Sequence, residues 1–183
     1  MTIEAPATTR PDPQAFRAVC GTFATGVTVV TTDGSDGPHG GTVNSFTSLS
    51  ADPPQVIVCL AKHSRTWRAV ESSGTFAVNI LSADQEDVAR LFASRDETKM
   101  ARVGWSPAAN GAPLLDGVVA SIECTLTAAL EQATHMLLIG SVTAAEHHGG
   151  DPLIFFRSTM HPGLSTDDRD SADHYFDDGA WGA

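Results

Sequence analysis

The sequence predicts an antiparallel β-barrel, mainly β in content, with a few helices packed on its outside. Apolar runs of strand type outnumber helical patterns along the 183 residues, and most of these runs are joined by short turns. No Gly-x-Gly-x-x-Gly motif is present, so a doubly wound dinucleotide-binding fold is not expected. A chain of this length can form one domain with a core of its own.

The N-terminal part of the domain predicts a helix followed by a β-hairpin. Residues 14–23 place apolar side chains at helical spacing, and Pro13 suits a first helical turn. The β-branched run Val27–Thr32 predicts a strand, and the cluster Asp33–Gly37 predicts a turn. The segment Gly41–Ser48 then forms the second strand of a predicted antiparallel hairpin.

The middle of the chain predicts a strand, a capped helix and another strand. The apolar run Gln55–Ala61 follows two prolines and is typical of a strand buried on both faces. Ser64 can cap a short helix that Gly74 closes. The segment Thr75–Leu81 predicts the strand that follows this helix.

The C-terminal half predicts one more helix and three more strands. Ser82 and Gln85 form the pattern of a capping box before a helix at 84–93. Residues 100–117 are rich in Pro, Gly and Ala, which predicts a long loop. The remaining strands are predicted near 118–132, near 135–146 and at Leu153–Phe156.

Three parts of the chain differ in composition. Residues 1–12 carry no apolar period and predict a flexible arm. Residues 13–164 form the predicted domain. Residues 165–183 hold six aspartates and one arginine, which predicts an acidic, solubilising tail, although its three aromatic residues leave room for a docking segment.

Composition excludes several classes of function. The formal net charge of −11 argues against binding to nucleic acids or to anionic membranes, which need a basic surface. The three cysteines are far apart and predict reduced, buried thiols in a cytoplasmic protein, with no metal-binding spacing. The N-terminus lacks the pattern of a signal peptide, and no apolar run approaches the roughly 20 residues of a membrane span.

The segment Thr42–Ser50 carries more hydrogen-bonding groups than a core strand requires. It holds one asparagine, three serines and two threonines. Each such group buried without a partner costs about 1–3 kcal/mol. The sequence therefore predicts that this segment contacts a polar ligand.

Two basic clusters indicate where an anionic group of that ligand binds. Lys62–Arg68 contains three of the 11 basic residues and lies at the start of the helix capped by Ser64, where free N–H groups favour anions. Ser94–Arg102 adds Arg95, Lys99 and Arg102. Taken singly, each cluster is also compatible with a solvated helix start or a charged loop. Together with the polar strand they predict a phosphate-bearing ligand such as a flavin.

The order of these segments resembles the flavin reductase-like family, the small reductases of two-component flavin-dependent monooxygenases. The resemblance lies in FRAVCGTFATGVTVVTT, HGGTVNSFTSLSADPPQVIVCL, SRTWRAVESSGTFAVNIL and the FAS at 92–94, and it covers about Phe16 to Leu164. It implies a split β-barrel, a homodimer with flavin near the interface, and reduction of FMN or FAD by NADH or NADPH. The reduced flavin would pass to a separate monooxygenase.

The resemblance also implies a set of flavin-binding residues. Those of the polar strand meet the ring, those after the apolar strand meet the phosphate and ribityl groups, and the rest close the far side. They are Thr42, Val43, Asn44, Ser45, Ser48, Lys62, Ser64, Arg65, Thr66, Ala93, Ser94 and Lys99.

A histidine near the nicotinamide is the implied catalytic residue. Many members of the family carry Gly-Asp-His before the strand that begins here at His135. This chain has Ala133 and Thr134 in place of Gly and Asp, so no aspartate can orient the imidazole. A histidine that begins a strand can also be purely structural. Arg157 is a second candidate for the same pocket.

The sequence leaves two other functions open. One is a flavin-binding carrier without catalysis, and the other is a split-barrel oxidoreductase that acts on another ligand, such as a pyridoxal or deazaflavin compound. Within the flavin reductase interpretation, the two basic clusters favour FAD over FMN because they offer cations for more than one phosphate. NADH is favoured over NADPH because no basic cluster is assigned to a 2′-phosphate.

Overall fold

The computed structural model describes residues 10–163. Most of the predicted N-terminal arm and all of the predicted acidic tail lie outside the described residues. In chain order the elements are α1 (Pro13–Cys20), β1 (Thr25–Gly26), β2 (Thr28–Gly34), β3 (Gly37–Val43), β4 (Thr47–Ala51), β5 (Pro54–Ala61), α2 (Arg65–Ser73), β6 (Thr75–Ile80), α3 (Glu86–Ala93), a 3₁₀ turn (Lys99–Arg102), β7 (Trp105–Pro107), β8 (Pro113–Leu115), β9 (Ala120–Gln132), β10 (His135–His147), β11 (Ile154–Phe156) and β12 (Thr159–His161).

One antiparallel sheet of seven strands forms the barrel, in the order β3-β2-β6-β9-β10-β5-β4. Its two edge strands, β3 and β4, are consecutive in the chain and are joined only by residues 44–46. A link of this length spans at most about 14 Å. A flat sheet of seven strands would place its edges about 29 Å apart. The sheet must therefore roll up until its edges meet.

The predicted second strand of the hairpin is thus two strands. β3 pairs with β2 as predicted, but the chain leaves β2 after Val43, and β4 pairs with β5 at the other edge of the sheet. Prediction of one continuous strand was wrong because local sequence does not show where a strand finds its partner. Residues 44–46 cross between the two edges.

The core consists of two apolar clusters on opposite faces of β2. Val30 belongs to the cluster inside the barrel, with Phe76 and Leu138. Val29, its neighbour, belongs to the second cluster, with Phe92 and Leu81 under α3. Because successive side chains of a strand point to opposite faces, β2 is buried on both sides.

β5 was predicted to be buried on both faces, and this was wrong. Val56, Val58 and Leu60 are buried, whereas Ile57 and Cys59 on the other face are only half-buried. Of the three cysteines, only Cys124 is fully buried, and burial raises the pKa of its thiol to about 12. Cys20 is exposed, contrary to the prediction, because α1 buries none of its residues.

The helices form close to where the sequence predicts them. α2 is capped as expected, since the Trp67 amide donates to Ser64 Oγ at 3.1 Å and Gly74 ends the helix with φ of 71°. α1 is shorter than predicted and ends at Cys20. Only half of the predicted capping box forms before α3: the Ser82 amide donates to Gln85 Oε1 at 3.1 Å.

The predicted loop at 100–117 is more ordered than expected. It contains the 3₁₀ turn and the hairpin β7–β8. The hairpin is joined to the sheet by buried Asn79, whose amide donates to Val29 O at 3.1 Å and to Thr31 Oγ1 at 2.9 Å. The Leu115 amide in turn donates to Asn79 Oδ1 at 2.8 Å. Every polar atom of this buried side chain is therefore paired.

Gly40 allows α3 to pack directly on β3. A Cβ at this position would lie 2.6 Å from Cε1 of Phe92, a ring that is 2% exposed and cannot move aside. We expect Gly40→Ala to destabilise the fold by about 1–3 kcal/mol, the usual cost of overpacking. Urea denaturation measures this free energy. Gly26→Ala is the control, since its Cβ would meet nothing within 4 Å; equal losses in both variants would contradict the packing argument.

Candidate functional site

A cleft of about 670 Å³ lies between β3, the start of α2 and the segment from α3 to the 3₁₀ turn. Its size falls within the range of sites for small molecules, about 300–1,000 Å³. Eight of the predicted cofactor-binding residues line it. They are Thr42, Val43, Ser64, Arg65, Thr66, Ala93, Ser94 and Lys99.

The start of α2 brings into the cleft groups that favour an anion. Ser64 caps the helix by accepting a hydrogen bond from the Trp67 amide, and Ser64, Arg65 and Thr66 all line the cleft. The amides of the first helical turn have no carbonyl partner within their own helix, and they carry the positive end of the helix dipole. Trp67 and Val70 hold this end in place because both are buried in the barrel core.

Two adjacent glycines leave part of the β3 wall of the cleft without side chains. Gly40 and Gly41 both line the cleft on β3. A Cβ on Gly41 would lie 3.0 Å from Thr66 Oγ1. Any side chain at this position would therefore fill the space in front of the helix start. Glycine inside a strand is typical of a place where another backbone or a ligand approaches closely.

Three cationic residues line the cleft: Arg65, Arg95 and Lys99. Two of them, Arg65 and Lys99, are held by other groups of the protein. Arg65 NH1 lies 2.6 Å from Glu97 Oε1, and its NH2 group donates to Arg95 O at 3.1 Å. Lys99 Nζ donates to Phe92 O and to Ser94 O, both at 3.0 Å. Burial, and secondly the nearby charge of Arg65, lower the pKa of Lys99 below its ordinary value. An anion bound between the two cations would relieve their repulsion.

The loop that carries Glu97 is held by its neighbour Asp96. The Thr98 amide and hydroxyl donate to Asp96 Oδ1 at 2.7 and 2.8 Å, and Arg102 NH1 lies 2.7 Å from Oδ2. These hydrogen bonds, led by that of the Thr98 amide, lower the pKa of Asp96 to about 2. Asp96 is therefore a carboxylate at any physiological pH and keeps the loop closed on itself.

The polar strand is satisfied largely by the protein itself. The Thr42 hydroxyl donates to Ala89 O at 2.7 Å, which joins β3 to α3. The Ser45 hydroxyl donates to Cys59 O at 3.1 Å and accepts from the Cys59 amide at 2.9 Å. Asn44 and Ser48 are exposed around the crossing from β3 to β4. The Thr42 and Ser45 hydroxyls are therefore satisfied within the protein, and contact between a ligand and the exposed Asn44 and Ser48 stays a prediction.

The structure places five predicted cofactor-binding residues outside the lining of the cleft: Asn44, Ser45, Ser48, Lys62 and Arg157. Lys62 follows β5, but its ammonium lies 2.9 Å from Glu131 Oε1 on β9. Arg157 follows β11 with φ of 49°, and its guanidinium lies 5.2 Å from the ring centre of Phe156.

His135 lies one strand away from the cleft. It pairs with Ala61 in the register of β10 and β5, and Ala61 lines the cleft. The Lys62 amide donates to Thr134 O at 3.1 Å, which fixes this end of β10. The Thr134 hydroxyl lies 2.8 Å from His135 Nδ1. A neutral hydroxyl therefore contacts the imidazole at the position where the family pattern has aspartate.

Sequence reasoning missed several residues that line the cleft. His39, Gly40 and Gly41 on β3 and Phe92 on α3 belong to its wall. The adjacent glycines were a usable signal, because paired glycines inside a predicted strand indicate close approach. Phe92 was assigned to an apolar helix face, and helical periodicity alone does not show that such a face also borders a cleft.

Residues 20–164 match the family described as the flavin reductase like domain. The chain belongs to this family. Among residues 10–163, no helix is long and apolar enough to cross a membrane.

Relatives of this chain include both curated proteins and solved structures. A probable flavin reductase of Rhizobium meliloti is 46% identical over 147 residues, which cover 80% of this chain and 47% of that protein. A reductase subunit of a flavin-dependent monooxygenase, HsaB of Mycobacterium tuberculosis, is 40% identical over 149 residues and 80% of each chain. This chain thus spans about half the length of the first relative and most of the second.

A solved structure shows the same fold. The NADH:FAD oxidoreductase of Streptomyces globisporus, in complex with NAD and FAD fragments, is 36% identical, with a TM-score of 0.80 over 88% of this chain and 100% of that one. The predicted family and the predicted fold class, a split antiparallel β-barrel with peripheral helices, are therefore confirmed.

We expect the lowered pKa of Lys99 to make the binding of an anion in the cleft depend on pH. Because the pKa of Lys99 is lowered, its ammonium loses its proton at a lower pH than an ordinary lysine does. Affinity for an anion should fall as pH rises through that pKa. We expect the Kd of FMN to rise several-fold between about pH 7 and about pH 10, while the Kd of riboflavin, which lacks the phosphate, changes little. Flavin fluorescence titrations measure both constants.

The control for this titration is Lys99→Arg, which keeps a positive charge across the same pH range. The dependence of FMN binding on pH should disappear in this variant. If FMN and riboflavin weaken in parallel in the wild type, Lys99 does not act on the phosphate.

Proposed function

We propose that this protein is an NAD(P)H:flavin oxidoreductase that reduces FAD, or FMN, and supplies the free reduced flavin to a separate monooxygenase. The observation that carries the proposal is the cleft, in which a capped helix start and the cationic residues Arg65, Arg95 and Lys99 converge in a chain whose net charge is −11. A flavin phosphate fits this donor set, because it needs cations and free amides together. Membership of the flavin reductase-like family supports the same assignment.

Different residues of the cleft would contact different parts of the flavin. The amides at the start of α2, with Ser64, Arg65 and Thr66, would bind the phosphate. Lys99 would add a charge from the far side, where Ala93 and Ser94 close the cleft. Thr42 and Val43 would border the ribityl chain along β3. We keep Asn44, Ser45 and Ser48 as candidates for contacts with the ring, since they follow the cleft residues Thr42 and Val43 in the chain. Arg157 stays a second candidate for the nicotinamide side.

When bound, the nicotinamide and the flavin would supply the hydride-transfer chemistry between them. The chain then has three tasks: to align the two rings, to exclude water, and to offer donors near the negative charge of the reduced flavin. We propose that His135 lies beside the nicotinamide. The Thr134 hydroxyl, rather than a carboxylate, contacts its Nδ1, and the imidazole would act by its position beside the nicotinamide.

Release of the reduced flavin is consistent with the charge of the chain. Reduced flavin is an anion, and a surface with 22 acidic and 11 basic residues would not retain it outside the cleft. We favour NADH over NADPH as the electron donor and FAD over FMN as the flavin. Because Cys20, Cys59 and Cys124 are all free thiols, we also place the protein in the cytoplasm, where thiols stay reduced.

We propose that the protein is a homodimer. α1 buries none of its residues, and Phe16, Val19 and Phe23 are 58%, 70% and 75% exposed. Leu49 on β4 is also exposed. A short helix is not stable without a packed apolar face, so a second copy of the chain would cover these residues. Sedimentation equilibrium gives the mass of the assembly.

The assignment is tested by NADH and NADPH consumption of the purified protein with FAD, FMN, riboflavin or no added flavin. We expect turnover that requires added flavin, with FAD the preferred acceptor. Absence of turnover with every pair, combined with tight flavin binding, would overturn the reductase and leave the carrier. Turnover only with a deazaflavin or a pyridoxal compound would assign the other split-barrel activity.

His135→Ala tests the nicotinamide-side role. We expect the rate of flavin reduction in a single turnover with NADH to fall about tenfold or more, as for loss of one positioning contact, while flavin affinity and melting temperature change little. Stopped-flow absorbance of the bound flavin measures this rate. His147→Ala, at the exposed far end of β10, is the control. Equal rates in the two variants would remove His135 from the site.

A further inference from the structure

A second, smaller cleft adjoins the one described above. It has a volume of about 370 Å³ and lies between the β2–β3 turn and α2. Ser35, Asp36, Arg68 and Ala69 line this second cleft alone. The two clefts share the other three lining residues, which are His39, Arg65 and Glu97.

The Arg65–Glu97 ion pair lies at the boundary between the two clefts. Arg65 belongs to α2 and Glu97 to the loop after α3, so the pair crosses from one wall to the other. The side chains are 43% and 80% exposed. An exposed ion pair contributes little net stability. An anionic group of a ligand can therefore take the place of Glu97 on Arg65 at low cost.

The loop does not depend on Glu97 for its shape. Within residues 10–163, Glu97 makes no side-chain hydrogen bond other than the one with Arg65. Asp96 and Lys99 hold the two ends of the loop through their bonds to Thr98, Arg102 and the carbonyls after α3. We therefore expect the loop to keep its position when Glu97 is displaced from Arg65, at the boundary that the two clefts share.

The second cleft carries groups that suit an adenylate. The Arg68 guanidinium is exposed and donates to His63 O at 3.2 Å through one nitrogen, which leaves its other donors for a phosphate. Asp36 offers a carboxylate at the opposite wall, and its contact with the Ser35 hydroxyl is long, at 3.4 Å. A carboxylate commonly accepts hydrogen bonds from ribose hydroxyls in nucleotide sites.

We propose that Arg68 and Asp36 determine the specificity for FAD over FMN, and that Glu97 sets the affinity for both flavins by competing for Arg65. The first phosphate binds at the start of α2 and displaces Glu97 from Arg65. The second phosphate reaches Arg68, and the adenosine ribose reaches Asp36 in the second cleft. FMN ends at its first phosphate and makes none of these additional contacts. The proposal rests on the proposed function, because it concerns the flavin of the same site.

The test compares equilibrium binding of FAD and of FMN to the full chain by isothermal titration calorimetry, without NADH. Arg68→Gln should raise the ratio of the Kd for FAD to the Kd for FMN about tenfold, the effect of losing one charge-assisted hydrogen bond. Glu97→Gln should lower the Kd values for FAD and for FMN several-fold, because Arg65 is then free before the first phosphate binds. Asp36→Asn should raise the Kd for FAD and leave the Kd for FMN within about twofold.

Glu86→Gln is the matched control. Glu86 is also an acidic residue paired with an arginine, Arg90 on the same helix, and it lines neither cleft. Its substitution removes the same charge and should leave both Kd values unchanged. Melting temperatures of all variants should lie close to that of the wild type, since Asp36, Arg68 and Glu97 are exposed.

Two results would overturn the proposal. One is an unchanged FAD-to-FMN ratio in both Arg68→Gln and Asp36→Asn. The other is an equal gain in FAD affinity in Glu97→Gln and Glu86→Gln, which would be a general effect of charge. The proposed function fails separately: normal discrimination in binding, without NADH-dependent reduction of any flavin, would remove the reductase activity and keep the adenylate subsite.

Discussion

The three-residue crossing from β3 to β4 is the constraint on which the rest of the structure depends. It forces the two edges of the sheet together, and this closes the barrel. The C-terminal end of β5 and the glycines of β3 then come to lie on the same side of the molecule, where α2 begins. Ser45, within the crossing, binds both backbone groups of Cys59 and so fixes the crossing to β5. The crossing that closes the sheet therefore also brings the walls of the cleft together.

The charge of the cleft differs in sign from the net charge of the chain. The chain is strongly acidic, yet the cleft is built around cations that the protein already holds in defined positions. Lys99 is fixed by two carbonyl groups and Asp96 by Thr98 and Arg102, whereas Arg65 has an exposed, exchangeable partner. A site of this kind stays ordered without a ligand and still has one cation available for exchange. This arrangement suits a protein that must bind an anionic ligand and then release it.

Local signals in the sequence were sufficient to predict the helices and most strands. They were insufficient to predict which strands pair and which groups the polar side chains contact. α2 begins after Ser64 and ends at Gly74 as predicted, because capping depends on residues within a few positions. The edge-to-edge crossing could not be predicted, because the order of strands depends on pairing between distant segments. Lys62 was assigned to a phosphate from its neighbours in sequence, but its partner is Glu131, 69 positions away. The Thr42 and Ser45 hydroxyls were expected to face a ligand, and their carbonyl partners lie 47 and 14 positions along the chain.

Buried Asn79 has a consequence for how the molecule opens. Its side chain joins β2, β6 and β8, and all of its polar atoms are paired away from solvent. If the hairpin β7–β8 detached from a closed barrel, these polar groups would be left unpaired in an apolar interior, which is costly. The hairpin and the barrel are therefore expected to open together. The Leu115 amide should therefore be protected from hydrogen exchange as strongly as the amides of the central strands, although it lies in a segment that resembles a surface loop.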